Sequence, residues 1–173
     1  MSIIYLVAHL AAVLLAALAL WAMRHELCET AANRFDWLLP PGLAIATATV
    51  LLVVSPGKRF ELWVSCIGVG VVAGAAMGGV LQGAKDFGSN LVRVYRAWDG
   101  VGAAALLLVL ALVRLVTSDF TGRQSGGYGV LGALAALMAA YLVARIVSFQ
   151  FYTAPRTIHL DMFRGQKRQR TDI

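Results

Sequence analysis

Apolar residues in this chain come in five long runs separated by short polar stretches. They fall near 2–23, 37–55, 62–83, 100–117 and 128–149. A helix needs about 20 mostly apolar residues to cross a bilayer core. The pattern therefore predicts an all-α membrane protein, a polytopic bundle of about five transmembrane helices over residues 1–154, followed by a basic tail at 155–173. The first run has no basic segment before it and is too long for the apolar part of an ordinary secretory signal, which favours an uncleaved first span.

Within the runs, small residues recur at helical spacing. The third run reads LWVSCIGVGVVAGAAMGGVLQG, with Gly70, Gly74 and Gly78 every four residues and Gly79 and Gly83 repeating that spacing one position round. Such glycines weaken a helix in water by roughly 1 kcal/mol each. In a bilayer the helix persists because its backbone has no other partner, and the rows become surfaces that a second backbone can approach. This marks the third span as the expected central helix of the bundle. Gly132, Ala136, Ala140 and Ala144 make a comparable stripe in the fifth span, a natural partner for the third. Ala8, Ala12 and Ala16 do the same in the first.

The connections carry the polar chemistry. Between Arg24 and Asp36, the residues His25, Glu26, Cys28 and Glu29 are metal-ligand types, but their spacing matches no zinc pattern, and mixed loop charge is the simpler reading. Trp37 opens the second span, with Pro40 and Pro41 in its first turn, where missing N–H groups are tolerated. Pro56 and Gly57 break the chain into a turn. The stretch KDFGSNLVRVYRAWD reads either as a short extended hairpin or as an interfacial turn of helix, and Asp99 is a plausible N-cap for the fourth span.

Composition agrees with this reading: 60% of residues are apolar and 14% charged, where soluble domains have about 45–50% and 25%. The net charge of +6 would suggest nucleic acid in a soluble protein. Beside a bilayer, Tyr95 and Trp98 flanking Arg93 and Arg96 are interfacial anchors, and the GQKRQR tail meets anionic headgroups, so no nucleic-acid partner is expected. Lys and Arg of the 24–36 loop, the 85–99 loop and the tail outweigh those of the 56–61 turn and the 118–127 loop. By the positive-inside rule this puts the N-terminus outside and the C-terminus in the cytoplasm, in a bacterial inner membrane.

Groups able to do chemistry are few. Cys28 and Cys66 are far apart and form no CxxC motif, which argues against a dithiol site. The span interiors hold no carboxylate; Asp36, Glu61 and Asp99 fall at or beyond interfaces. That leaves His9, Arg114 and Arg145, with the hydroxyls of Thr47, Thr49 and Ser65. His9 reads as a hydrogen-bonded bundle residue, with a single-histidine metal or haem role as the alternative. Arg114 and Arg145 lie near span ends and read as snorkelling to headgroups, with a gate or anion site as the functional alternative for Arg145. No catalytic set or metal site emerges, so neither enzyme activity nor a cofactor is expected.

Four stretches together, WLLPPG, the glycine-spaced third span, VRVYRAWDG and the Leu-rich helix ending in VRLV, resemble the CcdC-like small membrane proteins over about residues 33–148. The resemblance implies a five-helix membrane protein associated with cytochrome c maturation and carries over no catalytic residue. The chain also lacks a thiol pair that would let it pass electrons itself. Abundant packing surface with little chemistry leads to the main expectation: an accessory or assembly subunit that associates with another membrane protein or with itself. A small transporter or channel, and a haem- or redox-handling protein, are the alternatives.

Overall fold

The computed structural model describes residues 3–27, 32–54, 60–81, 83–85, 91–94, 98–121 and 128–152. The basic tail, Cys28, Glu29 and the Pro56–Gly57 turn lie outside the described residues. In chain order the elements are α1 (Ile3–Ala22), α2 (Arg24–Leu27), β1 (Ala32–Asn33), α3 (Arg34–Val54), α4 (Phe60–Val80), β2 (Gly83–Lys85), β3 (Leu91–Val94), α5 (Trp98–Thr121) and α6 (Tyr128–Tyr152).

Helices α1, α3, α4, α5 and α6 are each long and apolar enough to cross a membrane, with candidate spans Ile3–Ala22, Trp37–Val54, Phe60–Val80, Trp98–Thr117 and Gly129–Phe151. Helix α3 starts three residues before Trp37, so Pro40 and Pro41 sit inside it and not in its first turn. Two backbone donors are missing there, a defect that helices shielded by neighbouring helices tolerate.

The core is built by four of the five long helices. Ala12 and Ala16 of α1, Ala44, Ala48 and Leu51 of α3, Ala104, Leu107 and Ala111 of α5, and Ala135, Ala139 and Leu142 of α6 form one buried cluster. Alanine dominates these positions, and its small side chain lets the helix backbones approach closely. On α1 the buried stripe is His9, Ala12, Ala16, Ala19 and Ala22, with Ala8 only half-buried at its edge.

The glycine-rich helix α4 is not central. It packs chiefly against α6 and contributes no residue to the main core, while α6 touches α3, α4 and α5. The reason is its single docking row. Gly70, Gly74 and Gly78 are its buried residues, and they lie against the carbonyl oxygens of Leu137, Tyr141 and Arg145 in turn. Both rows ascend by four residues in the same direction, so α4 and α6 run parallel. A β-carbon at any of the three glycines would overlap one of those carbonyls. The second row does not dock: Gly79 is exposed, and Gly83 has left the helix to pair with Val94 in the sheet. Val69, Val72 and Val80 on the outer face of α4 are largely exposed.

At one end of the bundle the three short strands form a sheet in the order β1-β3-β2, antiparallel throughout. Ala32 pairs with Val92, and Lys85 also pairs with Val92 from the other side. Of the two alternatives for the 85–99 stretch, Leu91–Val94 adopts the extended one, and 86–90 and 95–97 lie outside the described residues. The sheet ties the entry to α3, the exit from α4 and the entry to α5 together at this end.

Two glycine substitutions separate docking from helix propensity. Gly74→Ala is expected to lower stability in detergent by about 1–3 kcal/mol, as overpacking does. Gly68→Ala, with nothing within 4 Å of the added carbon, is expected to be neutral or mildly stabilising. Thermal unfolding of both variants checks the pair.

Candidate functional site

Four polar side chains meet inside the sheet-bearing end of the bundle. Helix α1 ends at Ala22, and Met23 makes a turn in which its N–H donates to the carbonyls of Ala19 (3.2 Å) and Leu20 (3.1 Å). The N–H of Glu26 then donates to the Met23 carbonyl at 3.0 Å. This turn opens the four-residue α2 and brings Glu26 back over the bundle, where α2 packs on α5. Asp99 lies in the first turn of α5, inside the helix, so it is not an N-cap. Its charge there is favoured by the helix dipole. Tyr141 and Arg145 are one turn apart on α6 and therefore share a face.

Arg145 joins these groups. Its Nη1 and Nη2 donate to Glu26 Oε1 and Oε2 at 2.8 and 2.9 Å, a two-pronged pairing. Its Nε donates to Asp99 Oδ2 at 2.6 Å and Nη2 also donates to Asp99 Oδ1 at 3.2 Å. The Tyr141 hydroxyl donates to the same Asp99 Oδ2 at 2.8 Å. Arg145 is 0% exposed, Glu26 2% and Asp99 21%. Gly100 closes the site: a β-carbon there would sit 2.8 Å from both Arg145 Nη1 and Glu26 Oε2. On α3 and α6, Trp37 and Phe149 pack with tilted rings, their centroids 5.5 Å apart, in a buried group with Ile146.

These contacts correct three expectations. Arg145 does not snorkel to headgroups and does not stand open as a gate; it is fully enclosed by two carboxylates. Asp99 is not an N-cap: from the first turn of α5 it pairs with Arg145, with 21% of its side chain exposed. Glu26 is not loop charge. A charge buried without a partner is too unfavourable to persist, so an arginine inside the bundle requires acceptors around it. The signal in the sequence was Arg145 itself. Once α1, α5 and α6 are packed together, Glu26 and Asp99 come within hydrogen-bond reach of it.

The remaining candidates are spread elsewhere. Arg114 is also buried, at 5% exposure, and its Nη2 donates to the carbonyl of Val54, the last residue of α3, at 3.4 Å. A cation at that position complements the negative end of a helix dipole. His9, 3% exposed, donates from Nδ1 to the Tyr5 carbonyl at 2.6 Å, which leaves Nε2 as the acceptor nitrogen. Nε2 has no hydrogen-bond partner among the described residues. Thr47, Thr49 and Ser65 bond back to the carbonyls of Leu43, Ile45 and Glu61 on their own helices. Gly132 and Ala136 are buried on α6, and the Ala140 β-carbon lies 3.1 Å from the place a β-carbon of Gly70 would take. Among the described residues no group of three or more His, Cys, Asp or Glu is placed to hold a metal ion.

Burial is the largest influence on Glu26 and pushes its carboxyl above the usual range; Arg145 opposes this and the Asp99 charge adds to it. No family model, no curated protein and no solved structure matches the chain. The likeness to CcdC-like proteins therefore rests on the quoted stretches alone.

Chemically, the cluster binds three helical segments together and holds two acidic groups against one base. Arg145→Met leaves both carboxylates buried without their cation, and a loss of about 3–5 kcal/mol is expected. Gly100→Ala is expected to lose about 1–3 kcal/mol by crowding, with a smaller loss in a Glu26→Ala background, where the crowded oxygen is gone. The sign of the pH dependence follows from the raised Glu26 carboxyl. The folded protein holds that proton more tightly than the unfolded chain. Its contribution to stability is complete below the ordinary glutamate range and is lost as pH rises through the raised midpoint. The melting temperature of the native chain minus that of Glu26→Gln is therefore expected to fall across that interval; a constant difference would contradict it.

Proposed function

We propose that the protein is a multi-pass protein of the bacterial inner membrane, N-terminus outside and C-terminus cytoplasmic, acting as an accessory or assembly subunit through helix packing. The observation that carries this reading is the one-sided docking of α4. One face of α4 is committed to α6 through Gly70, Gly74 and Gly78, while Gly68, Val72, Ala76 and Gly79 remain exposed. Small residues on a face open to lipid suit contact with a further helix. That helix belongs to another membrane protein or to a second copy of this chain.

Orientation is supported by charge. The 24–36 and 85–99 connections join helices at the sheet-bearing end, where α6 also ends before the basic tail, and this reading makes that end cytoplasmic and apposes it to anionic headgroups. A transporter or channel reading drew on Arg114 and Arg145. Both are engaged inside the bundle, and the hydroxyls of Thr47, Thr49 and Ser65 are turned onto their own helices, which favours a packing role.

Mild-detergent purification from native membranes, with mass spectrometry of what co-elutes, tests the reading. A stoichiometric partner or a defined homo-oligomer is expected, weakened by Gly68→Leu and Ala76→Leu with the melting temperature of the isolated chain unchanged. A monomer in native membranes, untouched by in-membrane cross-linking, would contradict it.

A further inference from the structure

Away from the ion cluster, towards the other end of the bundle, His9 faces inward from α1. It begins the buried stripe that continues through Ala12, Ala16, Ala19 and Ala22, and only 3% of it is exposed. Its Nδ1 donates to the Tyr5 carbonyl one turn back, which fixes the tautomer and leaves the lone pair on Nε2. Nε2 is enclosed and meets no donor among the described residues. Buried polar atoms of native proteins are nearly always paired, either with protein groups or with ordered water.

The packing shows what lies at the height of Nε2. Helix α1 packs on α3 and α5. It ends, and α5 begins, at the ion cluster, so these two helices run antiparallel. At about 1.5 Å per residue, His9 lies roughly 20 Å back from Ala22, and Arg114 lies roughly 22 Å along from Asp99. The two side chains are therefore at about the same height. Arg114 is 5% exposed, and its Nη2 donates to the carbonyl of Val54 at 3.4 Å, which brings the end of α3 to that height too. An imidazole acceptor, a guanidinium and a carbonyl thus come from α1, α5 and α3 to one level of the seam. Below them the seam is lined by Ala12, Ala48, Leu51, Leu110 and Ala111, whose side chains carry no donor.

We propose that this level of the α1–α3–α5 seam is a binding site for an internal water molecule. The water donates to His9 Nε2 and to the Val54 carbonyl and accepts from the Arg114 guanidinium, within the number of bonds that internal waters make. Water fits because the occupant must both donate and accept, and because a place that leaves His9 and Arg114 almost fully enclosed admits only a small molecule. The bridge joins three helices remote from the ion cluster, so polar contacts hold the bundle towards both ends. It holds whether or not α4 recruits a partner.

The chain has three histidines, His9, His25 and His159, which makes selective labelling direct. The full-length protein carrying ¹⁵N-histidine and ¹⁵N-arginine is placed in lipid bilayers for solid-state NMR, with magnetisation transferred from water protons. His9 and Arg114 are assigned by the signals lost in His9→Phe and Arg114→Met. The expected result in the native chain is a His9 ring protonated at Nδ1 alone and an Nε2 resonance displaced upfield from that of an unbonded ring nitrogen. Water cross-peaks are expected at both His9 Nε2 and the Arg114 guanidinium. In Arg114→Met the Nε2 displacement is expected to shrink, with the Nδ1 proton still bonded to Tyr5. A His9 ring protonated on both nitrogens, or an Nε2 resonance at the unbonded position, overturns the site. So does a cross-peak from Nε2 to a hydroxyl or amine of the chain in place of water. Water at His9 but not at Arg114 overturns the bridge, a result read on the native chain and so independent of how Arg114→Met folds.

Discussion

A guanidinium removed from water must be surrounded by acceptors, and that requirement organises one end of this bundle. Arg145 has no exposed surface, so its position on α6 dictates where Glu26 and Asp99 go. Glu26 reaches it because Met23 turns the chain after α1, and Asp99 because α5 begins one residue earlier. Gly100 follows directly, since a larger residue would collide with both partners of the pair. The short strands then connect the ends of the neighbouring helices around the same end. A buried pair of this kind is weak evidence for added stability, because desolvation offsets much of the attraction. Its clearer effect is on register: α1, α5 and α6 satisfy the cluster at one relative height.

The two sides of α6 work by different physics. Towards α4 it offers backbone: every fourth carbonyl, from Leu137 to Arg145, lies against a glycine, and dispersion across that close approach holds the pair. Towards α5 and α2 it offers the Arg145 side chain, and the attraction is electrostatic. Arg145 takes part in both, its carbonyl against Gly78 and its side chain in the ion cluster. This makes α6 the structural centre and leaves α4 as the outer helix, packed chiefly on α6 among the described residues, with Val69, Val72 and Val80 exposed.

Five helices long and apolar enough to cross a membrane were legible because hydropathy over about 20 residues is a local property. The small-residue rows were legible too, since spacing by four places residues on one face whatever they touch. What the rows touch is tertiary information. Gly79 and Gly83 have the same spacing as Gly74 and Gly78, yet one faces outward and the other lies beyond the helix. The ion cluster was hidden for a related reason. Glu26 and Arg145 are 119 residues apart, and Glu26 sits among polar neighbours that made it look like loop charge. Arg145 was visible as an oddity in an apolar span, but its two partners were identifiable only after the helices were assembled. The short strands were ambiguous because Leu91–Val94 offers too few residues to establish a period.

A double-mutant cycle between Glu26 and Arg145, with each changed to alanine and unfolding followed in mixed micelles, tests the organising role of the cluster most directly. Arg145→Ala is expected to leave Glu26 buried without its cation, and the further loss of Glu26 to restore part of that stability; Glu26→Ala leaves Arg145 paired with Asp99. A coupling of about 1–3 kcal/mol is the result this account predicts. Additivity within about 0.5 kcal/mol, the behaviour of sites that do not meet, would contradict it and remove the cluster from the centre of the fold.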